Sequence, residues 1–138
     1  MATQEGTRLK RQVSNGEYGK VNIEHSSFTA AATPVADVIR FIELPAGAQV
    51  LNVKAVFDAM GASSTLSLGY EYVNPDDGSA SAAGFKAATS TVSAGTFSSD
   101  AHPLPVFTAP VYITATVGGG AITGKVSLFV TYEQIGTM

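Results

Sequence analysis

Two histidines, a pair of adjacent aspartates, a glycine run and a short basic cluster are the residues here whose types could do chemistry. His25 and His102 are far apart in sequence, with no second His or Cys at ligand spacing around either. A zinc site built on them would need carboxylates delivered by the fold, because zinc takes three or four protein ligands. We expect instead a strand-end His25 and a loop His102, each hydrogen-bonded locally. Serines are abundant, but no G-x-S-x-G elbow occurs: Gly61 is followed by Ala62-Ser63-Ser64-Thr65. Asp76-Asp77 sit in "NPDDG", a string of turn residues. The alternating oxygen ligands of a calcium loop are missing there. Gly118-Gly119-Gly120 with Gly124 falls one residue short of G-x-G-x-x-G. It joins two strand-like segments and opens no helix, so it lacks the helix N-terminus of a phosphate cradle. It reads as the connection of a hairpin. This inventory predicts no catalytic residue, no cofactor and no metal, and the chain does not read as an enzyme.

The basic cluster "RLKR" (Arg8, Lys10, Arg11) has no interleaved aromatics to stack on bases. Residues 1–24 carry Arg8, Lys10, Arg11 and Lys20 against Glu5, Glu17 and Glu24, while the remainder carries four bases and eight acids. A mildly acidic body at net charge −3 lacks the basic face of a nucleic-acid binder. Apolar runs are only a few residues long, so we expect no membrane span. The first twenty residues have no apolar core of the secretory kind. With no cysteine, disulfides are excluded. Hydrophobic residues make up 45% and charged ones 14%, which argues for a packed core. So few charges leave part of the surface to be covered by another protein.

The elements that would position any site are short strands. Residues 1–20 are polar and without apolar periodicity, and we expect an extended or flexible arm there, followed by one domain over 21–138. Val21, Ile23 and Phe28 predict a first strand, with "TAAATP" (29–34) breaking it. "DVIRFIEL" (37–44) is apolar on both sides, as for a strand covered on both faces. Pro45-Ala46-Gly47 supplies a turn. "QVLNVKAVFDA" (49–59) alternates, with Leu51, Val53, Ala55 and Phe57 inward and Val50, Asn52, Lys54 and Val56 outward. "TLSLGYEYV" (65–73) places Leu66, Leu68, Tyr70 and Tyr72 on one face. "NPDDGSASAAG" (74–84) reads as a loop. "FKAATSTVSAGTF" (85–97) is ambiguous; one reading is a helical turn around Lys86-Ala87-Ala88, then a short strand ending near Phe97. The prolines of 99–110 predict an extended edge segment. "VYITATV" (111–117) and "TGKVSLFVTYE" (123–133) are strands, the latter with Val126, Leu128, Val130 and Tyr132 on one face. About eight strands with frequent turns and no long helix predict an all-β, antiparallel β-sandwich or jelly roll with an N-terminal arm.

The stretches "DVIRFIELPAGAQVLNVKAVFDAMGASSTLSLGYE" and "YITATVGGGAITGKVSLFVTYE" resemble a family: the small jelly-roll cement or decoration proteins of tailed double-stranded DNA bacteriophages. The resemblance covers about residues 37–134, more weakly over 74–110, and it transfers no catalytic residue. It implies a virion structural protein, made in the host cytoplasm, that coats the outer surface of the icosahedral capsid. The implied partners are the major capsid protein, whose neighbouring subunits it would clamp, and the chain itself as homodimer or homotrimer. It also implies an arm threading over the capsid. Arg8, Lys10 and Arg11 would pair with capsid carboxylates there, and Val13, Tyr18 and Val21 would add apolar anchors. Two other readings stay open: a head-fibre base or tail protein, and a jelly-roll carbohydrate-binding module. The latter would need an exposed aromatic platform, and there is no Trp, while Tyr70 and Tyr72 sit at core-facing positions.

Overall fold

The computed structural model describes residues 3–6, 21–100 and 107–134. Among the described residues, nine strands form two sheets. They are β1 (Thr3–Glu5), β2 (Val21–Thr33), β3 (Val38–Leu44), β4 (Ala48–Phe57), β5 (Thr65–Tyr72), β6 (Ser81–Ser90), β7 (Gly95–Ser98), β8 (Val111–Gly118) and β9 (Ile122–Gln134). One sheet has the order β1-β3-β8-β5-β6 and the other β2-β9-β4-β7. Apart from β1, this is a jelly roll. Its eight strands alternate between the sheets, and only β5 and β6 are consecutive strands paired with each other.

The two inner faces share one core. Ile39, Phe41, Ile42, Leu44, Leu66, Leu68, Ile113 and Val117 come from the five-stranded sheet, and Val50, Val53, Ala55, Val126, Leu128, Val130 and Tyr132 from the other. Each fully buried large side chain contributes about 1.5–3 kcal/mol of transfer free energy. Edge-to-face aromatics close one end: Phe107 lies 5.0 Å from Tyr70 and 6.3 Å from Phe85, centroid to centroid. The Phe107 carbonyl accepts from the Gly47 N–H at 2.7 Å and its own N–H donates to Ala48 O at 3.0 Å. Thus the 107 segment holds the β3–β4 corner in place. At the opposite end Met60 is buried, its N–H donating to Thr91 O and its carbonyl accepting from Thr123 N.

Several expectations change. Gly118-Gly119-Gly120 is not a hairpin. β8 and β9 lie in different sheets, so the run is a corner between layers. Gly119, at φ +71, packs so closely on the Ser63 carbonyl that a Cβ would overlap it. Pro45-Ala46-Gly47 is likewise an inter-sheet corner. In β4 a bulge between Val50 and Asn52 shifts the alternation, burying Val50 and turning Leu51 outward. The expected inward Leu51 and outward Val50 therefore exchange places. A second bulge, between Arg40 and Ile42, lets Phe41 and Ile42 both be buried.

β2 runs on to Thr33, past the expected break, with Ala32 at φ 53 in an irregularity of its pairing. Lys86-Ala87-Ala88 is strand, not helical turn, and β6 starts at Ser81 inside the expected loop. β6 stayed hidden because its register against β5 jumps. Two steps on β5, Leu68 to Tyr70, face five on β6, Lys86 to Ser81. Finally, Thr3–Glu5 within the expected arm is a strand, parallel to β3, and Gly6 N donates to Arg40 O at 2.7 Å.

Candidate interaction surfaces

The groups singled out for chemistry are dispersed by this fold. Among the described residues no three His, Cys, Asp or Glu side chains group to hold a metal ion. His25 stacks on Phe129 across β2 and β9, with centroids 4.9 Å apart and planes 22° from parallel. His102 and the expected arm contacts Arg8, Lys10, Arg11, Val13 and Tyr18 lie outside the described residues. Asp76-Asp77 form a 3-10 turn, Pro75–Asp77, in which Asn74 Oδ1 accepts from Asp76 N at 3.1 Å. Tyr70 and Tyr72 are half-buried and pack against the core. Among the described residues no helix is long and apolar enough to cross a membrane.

The surface of the five-stranded sheet carries an organised polar group that spans three of its strands. Arg40 on β3 reaches over β8 to Glu71 on β5, with Nη2 to Oε1 at 2.5 Å and Nε to Oε2 at 3.3 Å. This is the two-pronged geometry that guanidinium and carboxylate favour. The guanidinium also lies 4.7 Å from the centroid of the Tyr112 ring. The hydrogen bond to Glu71 raises the Arg40 pKa above its already high usual value, against the opposing effect of burial. Beside the pair is a cleft of about 480 Å³ whose lining includes Thr3, Val38, Tyr72, Pro75 and Thr116. The buried Thr116 Oγ1 has no hydrogen-bond partner. The start of β6 roofs the adjoining part of this sheet: a Cβ on Gly69 would strike the Ser81 and Ala82 backbone. That cover buries Ser67 and Thr114, polar residues on the outer side of their strands.

The outer face of the four-stranded sheet is different. Register places Val21, Ile23, His25, Ser27 and Thr29 of β2 beside Glu133, Thr131, Phe129, Ser127 and Lys125 of β9. Gln49, Asn52, Lys54 and Val56 of β4 continue those rows. Val21 is 56% exposed and Ile23 66%, and Leu51 and Val56 are exposed on the same face. The inner side of β2 carries Asn22, Glu24 and Ser26, opposite the buried Tyr132, Val130 and Leu128. Over its first six residues β2 therefore presents its apolar set to solvent and its polar set to the core. Burial pushes the Tyr132 hydroxyl pKa up to about 12, with nearby Glu24 adding to the shift. The sequence pointed to a strand through Val21, Ile23 and Phe28, but not to which set of its residues faces out.

No protein-family model matches the sequence, and no curated protein does. Solved structures do match. A chain in the capsid of Ralstonia phage GP4 superposes with a TM-score of 0.74 at 16% identity, covering 99% of both chains. A chain of the cyanophage Pam1 capsid asymmetric unit gives 0.64 at 24% identity, covering 89% of this chain and 92% of that one. A chain of the acidic stable capsid of Helicobacter pylori bacteriophage KHP30 gives 0.63 at 17% identity, over 88% and 94%. At these identities the likeness establishes the fold.

Proposed function

We propose that this chain is a bacteriophage virion structural protein, a cement or decoration protein on the outer surface of the head that bridges major capsid subunits. The carrying observation is the match of the whole jelly roll to a chain from a phage capsid, with 99% of each chain superposed. The physical character of the molecule supports the same reading. Its two layers are tied by corners such as Gly119 on Ser63 and Phe107 on Gly47 and Ala48, which gives a stiff body. A stiff body loses little conformational freedom on docking, and many copies on a lattice need only modest contacts each.

In this reading Arg8, Lys10 and Arg11 meet capsid carboxylates while Val13 and Tyr18 supply apolar anchors. The test mixes purified chain with expanded, undecorated phage heads. Co-sedimentation that saturates at a fixed copy number, with a raised head rupture temperature, is expected; failure to co-sediment refutes the proposal. Gold labelling of intact virions separates head from tail, and label on the tail alone refutes a head protein. For the arm, Arg8, Lys10 and Arg11 are changed to Glu together. This leaves Thr3–Glu5, which belongs to the sheet, in place. Binding weakens by roughly tenfold or more if the three charges meet acidic partners. Unchanged binding removes them from the interface.

A further inference from the structure

We propose that the cleft beside the Arg40–Glu71 pair is a docking site for a lysine side chain presented by an extended segment of a partner protein. Where that partner is a capsid subunit the site rests on the reading above, but its test contains no capsid, so either can fail alone.

The cleft holds about 480 Å³, within the roughly 300–1,000 Å³ of ligand clefts. Val38, Tyr72, Pro75, Ala80 and Ala82 make its walls mainly apolar. Two acceptors interrupt them. Thr116 Oγ1 is buried and has no hydrogen-bond partner. Glu71 also lines the cleft, and Arg40 takes only two of the roughly four lone-pair sites of its carboxylate. A wholly apolar guest would seal the Thr116 hydroxyl away from water unpaired. The guest that satisfies both walls and acceptors has an apolar stem and hydrogen-bond donors at its tip.

Charge fixes the sign of that tip. Register sets Glu5 beside Arg40, and it sets Glu43 and Glu71 on either side of Tyr112. Asp76 and Asp77, both exposed, lie between the lining residues Pro75 and Gly78. Among the described residues, these carboxylates surround the single guanidinium of Arg40. Such a field draws in cations and repels anions. The tip is an ammonium and not a second guanidinium. A guanidinium wants the two-pronged face of a carboxylate, and Arg40 already occupies that of Glu71. An ammonium is a compact donor of three hydrogen bonds, which suits the sites left on Glu71 and Thr116. The four-carbon stem of lysine buries along apolar walls while its head reaches polar atoms. The cleft is wider than one alkyl chain, so residues flanking the lysine enter too, which favours a protein segment over a free diamine.

Amide NMR of the full chain, titrated with N-acetyl-lysine N-methylamide, reads the site. A probe of about fourteen non-hydrogen atoms should bind in the millimolar range, with saturating shifts at Val38, Glu71 and Thr116. The norleucine and Nζ-acetyl-lysine analogues lack the charge and should bind about fivefold or more weakly, as should the lysine probe on Thr116→Val. The arginine analogue should also bind more weakly than lysine. Asp76→Asn with Asp77→Asn should about halve the affinity. Thermal melts within a few degrees of wild type establish that the variants fold, and the analogue titrations use the unaltered chain, so they decide the matter by themselves. No shifts at about 50 mM probe, roughly tenfold above the expected constant, overturn the proposal. So does equal binding of the norleucine or arginine analogue. Tighter binding of 1,4-diaminobutane than of the lysine probe assigns the cleft to a free diamine and overturns the protein partner.

Discussion

Replacing Gly119 by Ala tests the corner on which the two layers close. Two costs add. At φ +71 an L side chain pays roughly 1 kcal/mol, which glycine avoids. The new Cβ also overlaps the Ser63 carbonyl oxygen, a backbone atom that cannot swing aside. Ser63 is itself held at φ 60, so relief must move the whole β4–β5 connection, at an overpacking cost of about 1–3 kcal/mol. The sum is about 2–4 kcal/mol. A chain of 138 residues has an unfolding entropy of roughly 0.3 kcal/mol per kelvin, so the melting temperature should drop by about 7–13 °C. Gly95→Ala is the control. Its Cβ meets nothing nearer than Phe57 Cζ at 3.9 Å, and its melting temperature should stay within about 3 °C of wild type. Differential scanning calorimetry reads both. If the two variants melt together, Gly119 does not bear on Ser63 and the packing of this corner is wrong.

Other consequences follow from the same geometry. Val50→Asp puts a carboxylate opposite buried Tyr132 and should abolish folding at 25 °C. Leu51→Asp, one residue along, should leave the melt of the dilute protein within about 2 °C; equal damage from both would remove the bulge. The Tyr132 pKa of about 12 lies above the ordinary value near 10, so the unfolded chain ionises first as pH rises. Stability from this group is complete below pH 10 and is lost at about 1.4 kcal/mol per unit between pH 10 and 12. Urea melts across that range should show the loss in the wild type and its absence in Tyr132→Phe. A double-mutant cycle on Arg40 and Glu71 should give about 1 kcal/mol of coupling, reduced in 1 M salt, which Arg40→Lys does not restore because it loses the fork and the Tyr112 stack.

What the sequence disclosed and what it hid divide along a physical line. Strand existence was legible where alternation is long, as in 123–133, whose Val126, Leu128, Val130 and Tyr132 are all buried. Fold class followed from the number of such runs. Register and layer were not legible. A bulge is one extra residue of ordinary type, so nothing in "QVLNV" says that Leu51 turns out and Val50 in. A triple glycine between two strands fits a hairpin and a corner equally well, because positive φ serves both. Only the partners of β8 and β9, remote in sequence, decide between them. The Arg40–Glu71–Tyr112 group escaped notice for the same reason, since its members come from three strands. The alternation of β2, Val21 and Ile23 against Asn22 and Glu24, was legible, but which set turns outward is decided by its pairing with β9, remote in sequence.

The topology makes β9 the piece on which the rest depends. It lies between β2 and β4, pairing with β2 from Val21↔Glu133 to Thr33↔Ile122 and with β4 from Ala48↔Gln134 to Phe57↔Val126. Without it β2 has no strand partner among the described residues, and β4 keeps only the four-residue β7. β9 also inserts Ile122, Val126, Leu128, Val130 and Tyr132 into the core. At about 1.5–3 kcal/mol each, their burial is worth roughly 10 kcal/mol, as large as the whole net stability of an ordinary domain. A chain ending at residue 121 should therefore have no cooperative melt at all, rather than a lowered one. Pairing of β2 must also wait for a strand about a hundred residues away, which places folding among the slow, non-local cases. Stopped-flow refolding faster than about a millisecond, or a sigmoidal melt from the chain cut at 121, would contradict this dependence.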